Sequence, residues 1–98
     1  MYARKTAFKT SADNVDTAAK VFTDEVLPIA RNIPGFKGAV ALADRSTGDI
    51  VSYTLWDTED AMSASEEQAN QMRGDALQKI GALGPPDVQR YEILVWEA

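Results

Sequence analysis

The chain contains neither cysteine nor histidine. Without cysteine there is no disulfide, no thiolate metal site and no cysteine nucleophile, a composition that suits a reducing compartment. The missing histidine removes more. No side chain has an unperturbed pKa near neutrality, and the commonest metal ligand is absent. A Ser-His-Asp triad, a histidine-bearing zinc site and a proximal-histidine haem are therefore excluded within this chain. Positive charge is also scarce. Ten Lys and Arg stand against fifteen Asp and Glu, for a net charge of −5. The basic residues are scattered rather than clustered, so the basic patch of a nucleic-acid binder is missing. No apolar run approaches the ~20 residues of a membrane span. Arg4 and Lys5 are followed by no apolar stretch of the signal-peptide kind, so a cytoplasmic location is expected.

What is present is an ordinary globular composition, 45% apolar and 26% charged, long enough for one domain over residues 1–98. Residues 2–9 ("YARKTAFK") alternate as a strand, with Tyr2, Arg4, Thr6 and Phe8 on one face. "TSADN" supplies turn and N-cap residues. From about Asp13 the period becomes helical, and Val15, Ala18, Ala19, Phe22, Val26, Ile29 and Ala30 make one apolar stripe. Pro28 lies inside that stripe and predicts a kink or a loosened last turn. "NIPGF" stops the helix.

Residues 36–43 read as a second strand, and "DRSTGD" (44–49) as a hairpin loop with Gly48 free to take positive φ. Residues 50–56 read as a third strand rich in β formers. Asp57 or Thr58 caps the next helix, whose inner stripe is Ala61, Ser65, Ala69, Met72, Ala76 and Ile80; Gly74 is expected to divide it. Residues 88–96 read as the last strand. The order β-α-β-β-α-β is the ferredoxin-like α+β arrangement, a four-stranded antiparallel sheet with both helices on one face. Strands two and three are apolar on both faces, whereas a sheet open to water on one side should alternate cleanly. The remedy is a second copy packed sheet to sheet, so a homodimer is expected.

Three stretches carry a resemblance: "PGFKG" (34–38), "TLWDTEDAM" (54–62) and "GPP" (84–86). With them nearly the whole chain resembles the dimeric α+β barrels of the antibiotic-biosynthesis-monooxygenase type. This scaffold hosts many activities, so the resemblance speaks to fold before chemistry. One branch, the cofactor-free quinol monooxygenases, uses an Asn, a Trp and a Tyr where this chain has Ser52, Trp56 and Met62. Only the Trp is kept. A haem-degrading branch uses an Asn, a Trp and a His where this chain has Thr6, Ser65 and Asp75. None is kept, and haem degradation is not expected.

The candidate substrate-binding residues are Trp56, Ser52, Arg4, Thr6, Ser65 and Met62; no catalytic residue is assigned. Trp56 reads either as a π surface for a planar substrate or as a core plug between strand and helix. Ser52 and Ser65 would line a polar spot in an apolar pocket, or each would bond a nearby carbonyl. Arg4, if its face lies under the helices, needs a carboxylate or a substrate anion, unless it snorkels to water. Tyr2, Tyr53 and Tyr91 are acids by type with nothing to place them; a dimer interface alone would justify Tyr53 and Tyr91. Asp57, Glu59, Asp60, Glu66 and Glu67 fan around a helix start, so capping and solubility explain them better than a metal. The reading is a cofactor-independent oxygenase-like dimer acting on a small aromatic or quinol-type molecule. The alternatives are a non-catalytic small-molecule-binding dimer and a structural dimer with a filled cleft.

Overall fold

The computed structural model describes residues 1–97. Four strands, β1 (Tyr2–Lys9), β2 (Phe36–Asp44), β3 (Asp49–Trp56) and β4 (Asp87–Glu92), form one antiparallel sheet in the order β2-β3-β1-β4. Helices α1 (Val15–Val21) and α2 (Leu27–Ala30) follow β1; α3 (Glu59–Ala64) and α4 (Glu66–Ile80) follow β3. This is the expected ferredoxin-like fold. Tyr2, Arg4, Thr6 and Phe8 pair in register with Trp56, Thr54, Ser52 and Ile50, so these side chains share the face under the helices.

Several local expectations are corrected. No side chain of "TSADN" caps α1. Asn14 instead donates from Nδ2 to the Ile80 carbonyl at 3.1 Å, tying the start of α1 to the end of α4. Between α1 and α2 the chain makes one wide π turn over Phe22–Val26, with the Leu27 amide bonded to the Phe22 carbonyl five residues back. Pro28 sits in the first turn of α2, where its missing N–H disrupts no regular i→i−4 bond. The extra residue in the turn rotates α2 relative to α1. Ala30 takes the core position at 1% exposure, while Ile29, predicted inside, is 44% exposed.

Gly74 does not divide the second helical region. The break falls at Ser65 (φ −83°, ψ −8°), between α3 and α4. Thr58 is the cap of α3, its Oγ1 accepting from the Ala61 amide at 3.0 Å. β4 ends at Glu92, opposite Tyr2 where β1 begins, and not at Trp96. The Ile93 amide still finds the Met1 carbonyl at 2.9 Å, but residues 93–97 are not part of a strand. The predicted hairpin is present, with Gly48 at φ +82°. No helix among the described residues is long and apolar enough to cross a membrane.

Candidate functional site: an arginine-edged cavity between sheet and helices

The sheet and helices leave a cavity of about 360 Å³ between them, within the size range of small-molecule sites. Its floor is the inward face of the sheet: Arg4, Thr6 and Phe8 of β1 and Ile50, Ser52 and Thr54 of β3. Ala41 and Ala43 of β2 keep one side of that floor low. The π turn supplies Phe22 and Val26 to the wall, and α4 supplies Met72, Ala76 and Leu77. Small residues on β2 and bulky apolar ones on the helices thus leave a hollow instead of closing it.

Polar groups enter this apolar space at few points. Thr6 and Ser52 face one another across the β1–β3 pairing, and both line the cavity. Neither takes part in the site's internal hydrogen bonds, and no side-chain N or O among the described residues is buried without a partner. Their hydroxyls are therefore accessible from the cavity and free for a guest. Thr54 is committed, because its Oγ1 accepts from the Trp56 indole N–H at 3.0 Å.

At one end stands Arg4, 3% exposed. A guanidinium buried so deeply needs partners, and it has them. Nη2 donates to the Met62 carbonyl and to Ser65 Oγ, each at 2.8 Å. Nε and Nη2 reach Glu66 Oε1 at 3.2 and 3.0 Å. Ser65 donates its own hydroxyl proton to the Met62 carbonyl at 2.7 Å, so the break between α3 and α4 is the cradle for this arginine. The guanidinium carbon also lies 5.4 Å from the Trp56 ring centroid, a cation–π distance. From β4, Arg90 grips the same carboxylate with both prongs, at 2.6 and 2.7 Å. The Arg90 hydrogen bonds, with those of Arg4 behind them, outweigh burial and hold Glu66 down to about 2. Arg73 of α4 also lines the cavity. Burial first, then the nearby Arg4 and Arg90 charges, push its guanidinium below the usual value, with Glu66 opposing.

The structure thus brings Arg4, Thr6 and Ser52 together on the cavity floor. Trp56, Met62 and Ser65 lie behind it. Trp56 is 1% exposed and packs with Ile33, Met62, Tyr2 and Phe36, the Phe36 ring edge-on at 5.7 Å. It meets the site through Arg4 and Thr54. Three features escape a reading of the sequence: Arg73, the wall residue Met72 as a site residue, and the pairing role of Glu66, which in sequence looks like one more solubilising acid. Arg4 carries the signal for Glu66: an inward arginine demands a carboxylate, and the helix above offers one beside Ser65. Among the described residues no group of three His, Cys, Asp or Glu is placed to hold a metal ion.

A four-stranded β-α-β-β-α-β sheet roofed by helices over this apolar, hydroxyl-dotted cavity defines a ferredoxin-like α+β protein. The chain belongs to the antibiotic biosynthesis monooxygenase family, whose model matches residues 1–73. Two uncharacterized Mycobacterium tuberculosis proteins, Rv2557 and Rv2558, are 32% and 33% identical over 93 residues, 95% of this chain. The match covers 41% and 39% of their lengths, so the chain spans about two fifths of these curated relatives. Among solved structures, the chain is similar to the monooxygenase from the gene ActVA-Orf6 of Streptomyces coelicolor in complex with nanaomycin D (TM-score 0.76, 18% identity, 99% of this chain and 92% of that one). It is also similar to an anthrone oxidase-like protein (TM-score 0.70, 23% identity, 92% of this chain and 42% of that one). At these identities the likeness shows the fold.

Proposed function

We propose that the chain is a monooxygenase-like enzyme that needs no cofactor and acts, as a homodimer in the cytoplasm, on a small aromatic or quinol-type substrate. The observation that carries this reading is the cavity, apolar on its walls and carrying the unengaged hydroxyls of Thr6 and Ser52 beside the Arg4 guanidinium. In such chemistry the substrate is its own reductant. An activated aromatic C–H or O–H ionises, the anion transfers electrons to dioxygen, and a C–O bond forms. Loss of water from the resulting hydroperoxide leaves a ketone or quinone, so R₂CH₂ and O₂ become R₂C=O and H₂O. The protein's part is to hold the ring in a dry space and aim donors at the developing anion. Thr6 and Ser52 are those donors, and Arg4 supplies the positive potential behind them. Trp56, Met62 and Ser65 keep Arg4 in place. The family membership and the likeness to an anthrone oxidase-like protein support this reading.

The test is oxygen uptake with dihydroxynaphthalene and with anthrone, corrected for spontaneous oxidation. We expect uptake that falls about tenfold or more in a Thr6→Val, Ser52→Ala double variant, the loss of two hydrogen bonds to an anion. Uptake no faster than buffer with both substrates overturns the proposal.

A second reading rests on a specific observation. The ionisable residues lining the cavity are Arg4, Arg45 and Arg73, so no carboxylate or imidazole stands there to act as a base. Such a cavity suits a non-catalytic binding dimer. Thermal stabilisation by an aromatic ligand that is recovered unchanged would favour it.

A further inference from the structure

Glu66 is the carboxylate shared by the cluster at the end of the cavity. Arg4 and Arg90 both bind it. Arg73 does not. Its hydrogen bond runs from Nη1 to Asn70 Oδ1 at 2.6 Å, and no carboxylate among the described residues lies within ion-pair distance of it. The charges that act on Arg73 are Arg4 and Arg90, which repel it, and Glu66, which attracts it. Three guanidiniums therefore gather near one carboxylate that only two of them bind, a local excess of two positive charges in a chain whose net charge is −5. Arg73 is half-buried and lines the cavity together with Arg4. A cation drawn out of water without a counter-charge is a cost that a folded chain carries when something else supplies the charge.

We propose that Arg73, backed by Arg4, is an anion subsite of this cavity, and that the ligand is an aromatic carboxylic acid. The inference rests on the reading of the cavity as the ligand site, and it names the ligand's class. A planar guanidinium matches a carboxylate with two parallel hydrogen bonds, which an ammonium cannot do. The apolar walls of Phe22, Val26 and Met72 then take the ring body, and Thr6 and Ser52 bond to its oxygen substituents. The carboxylate reduces the local excess from two positive charges to one and orients the ring within the pocket.

The experiment compares 2-naphthoate with the neutral 2-naphthamide, two probes of the same ring and similar size, by isothermal titration at low ionic strength. The wild-type chain is expected to bind the acid at least tenfold tighter than the amide. Arg73→Gln is expected to bring the acid within about twofold of the amide, chiefly by weakening the acid. Arg73→Lys keeps charge without the fork, and is expected to fall between the two. Equal binding of the probes, a preference for the acid that survives Arg73→Gln, or no binding of either at millimolar concentration each overturns the subsite. Circular dichroism on each variant shows that the fold is retained. Oxygen uptake with neutral dihydroxynaphthalene and with anthrone on the same samples separates this inference from the proposed function. Turnover without acid preference removes the subsite alone, and acid preference without turnover supports the subsite and removes the oxygenase.

Discussion

Arg4 and Glu66 are the pair on which the site's geometry depends. Arg4 is buried to 3% exposure and Glu66 to about 25%. Removing one member of such a pair leaves the other charge without a partner, and breaking buried pairs costs about 3–5 kcal/mol. Glu66→Ala is thus expected to destabilise strongly, to loosen the α3–α4 break and to release Trp56 from its cation. The same pair makes the protein acid-sensitive. The Glu66 carboxyl is held at about 2, below its ordinary 4.5, so the folded state prefers the ionised form. Its contribution is complete above about pH 4.5 and is lost as pH falls toward 2. The shift corresponds to about 2–3 kcal/mol after allowance for partial exposure. Urea unfolding of wild type and Glu66→Gln at pH 7 and pH 3 checks this. The stability gap between the two proteins is expected to narrow by about 1–2 kcal/mol at the lower pH. A gap that stays constant would refute the linkage.

At the scale of elements, two glycines separate a conformational requirement from an accident of sequence. Gly48 closes the β2–β3 hairpin at φ +82°, and a Cβ there would stand 2.0 Å from the Thr10 carbonyl oxygen. The Thr10 amide donates to the Gly48 carbonyl at 3.0 Å, so the hairpin tip and the end of β1 are stitched together at this point. Gly48→Ala combines a left-handed conformation with a backbone clash. It is expected to cost about 2–3 kcal/mol. Gly74 lies mid-way along α4, and a Cβ there would meet nothing within 4 Å. Gly74→Ala is expected to stabilise by about 0.5–1 kcal/mol, because alanine loses less freedom in a helix. Thermal melts of both variants test the contrast, which fails if the two shift in the same direction.

Some of these elements are legible along the chain and others are not. Alternation along β1 and β3 puts Arg4, Thr6 and Ser52 on one face, and the structure places them there because period-2 geometry leaves no other choice. Pro28 announces a disturbance in the first helix. That the disturbance is a π turn, exposing Ile29 and burying Ala30, depends on how the helix meets the sheet. The break at Ser65 is hidden for the same reason, since it answers the demand of Arg4, 61 residues away in sequence. Arg73 looks like one more surface charge on a helix. Only the placement of α4 over β1 makes it a wall of the cavity.

On the scale of the whole molecule the unmet demand is the outer face of the sheet. There Val40, Tyr53, Leu55 and Tyr91 form a shallow hollow with Ala3, Ile93 and Trp96. Val40, Tyr91 and Trp96 are 40%, 47% and 61% exposed, and Leu94 and Val95 beside them are 85% and 84% exposed. So much contiguous apolar surface is unusual on a chain that works alone. Lys5 and Gln89, paired neighbours on β1 and β4, are the polar relief near it. A self-complementary partner, a second copy packed sheet to sheet, would cover this face and leave the cavity beneath the helices untouched. Such an interface places Tyr53, on a strand interior to the sheet order, near its middle, where buried aromatics contribute most. The prediction is a dimer at micromolar concentration by sedimentation velocity. A Val40→Asp, Tyr53→Asp double variant, which puts two carboxylates on that face in each copy, is expected to sediment as a monomer with a lower melting midpoint. Its 2-naphthoate affinity should stay within a few-fold of wild type, because neither residue lines the cavity. A wild-type chain that sediments as a monomer would leave this face without the second copy that its composition calls for.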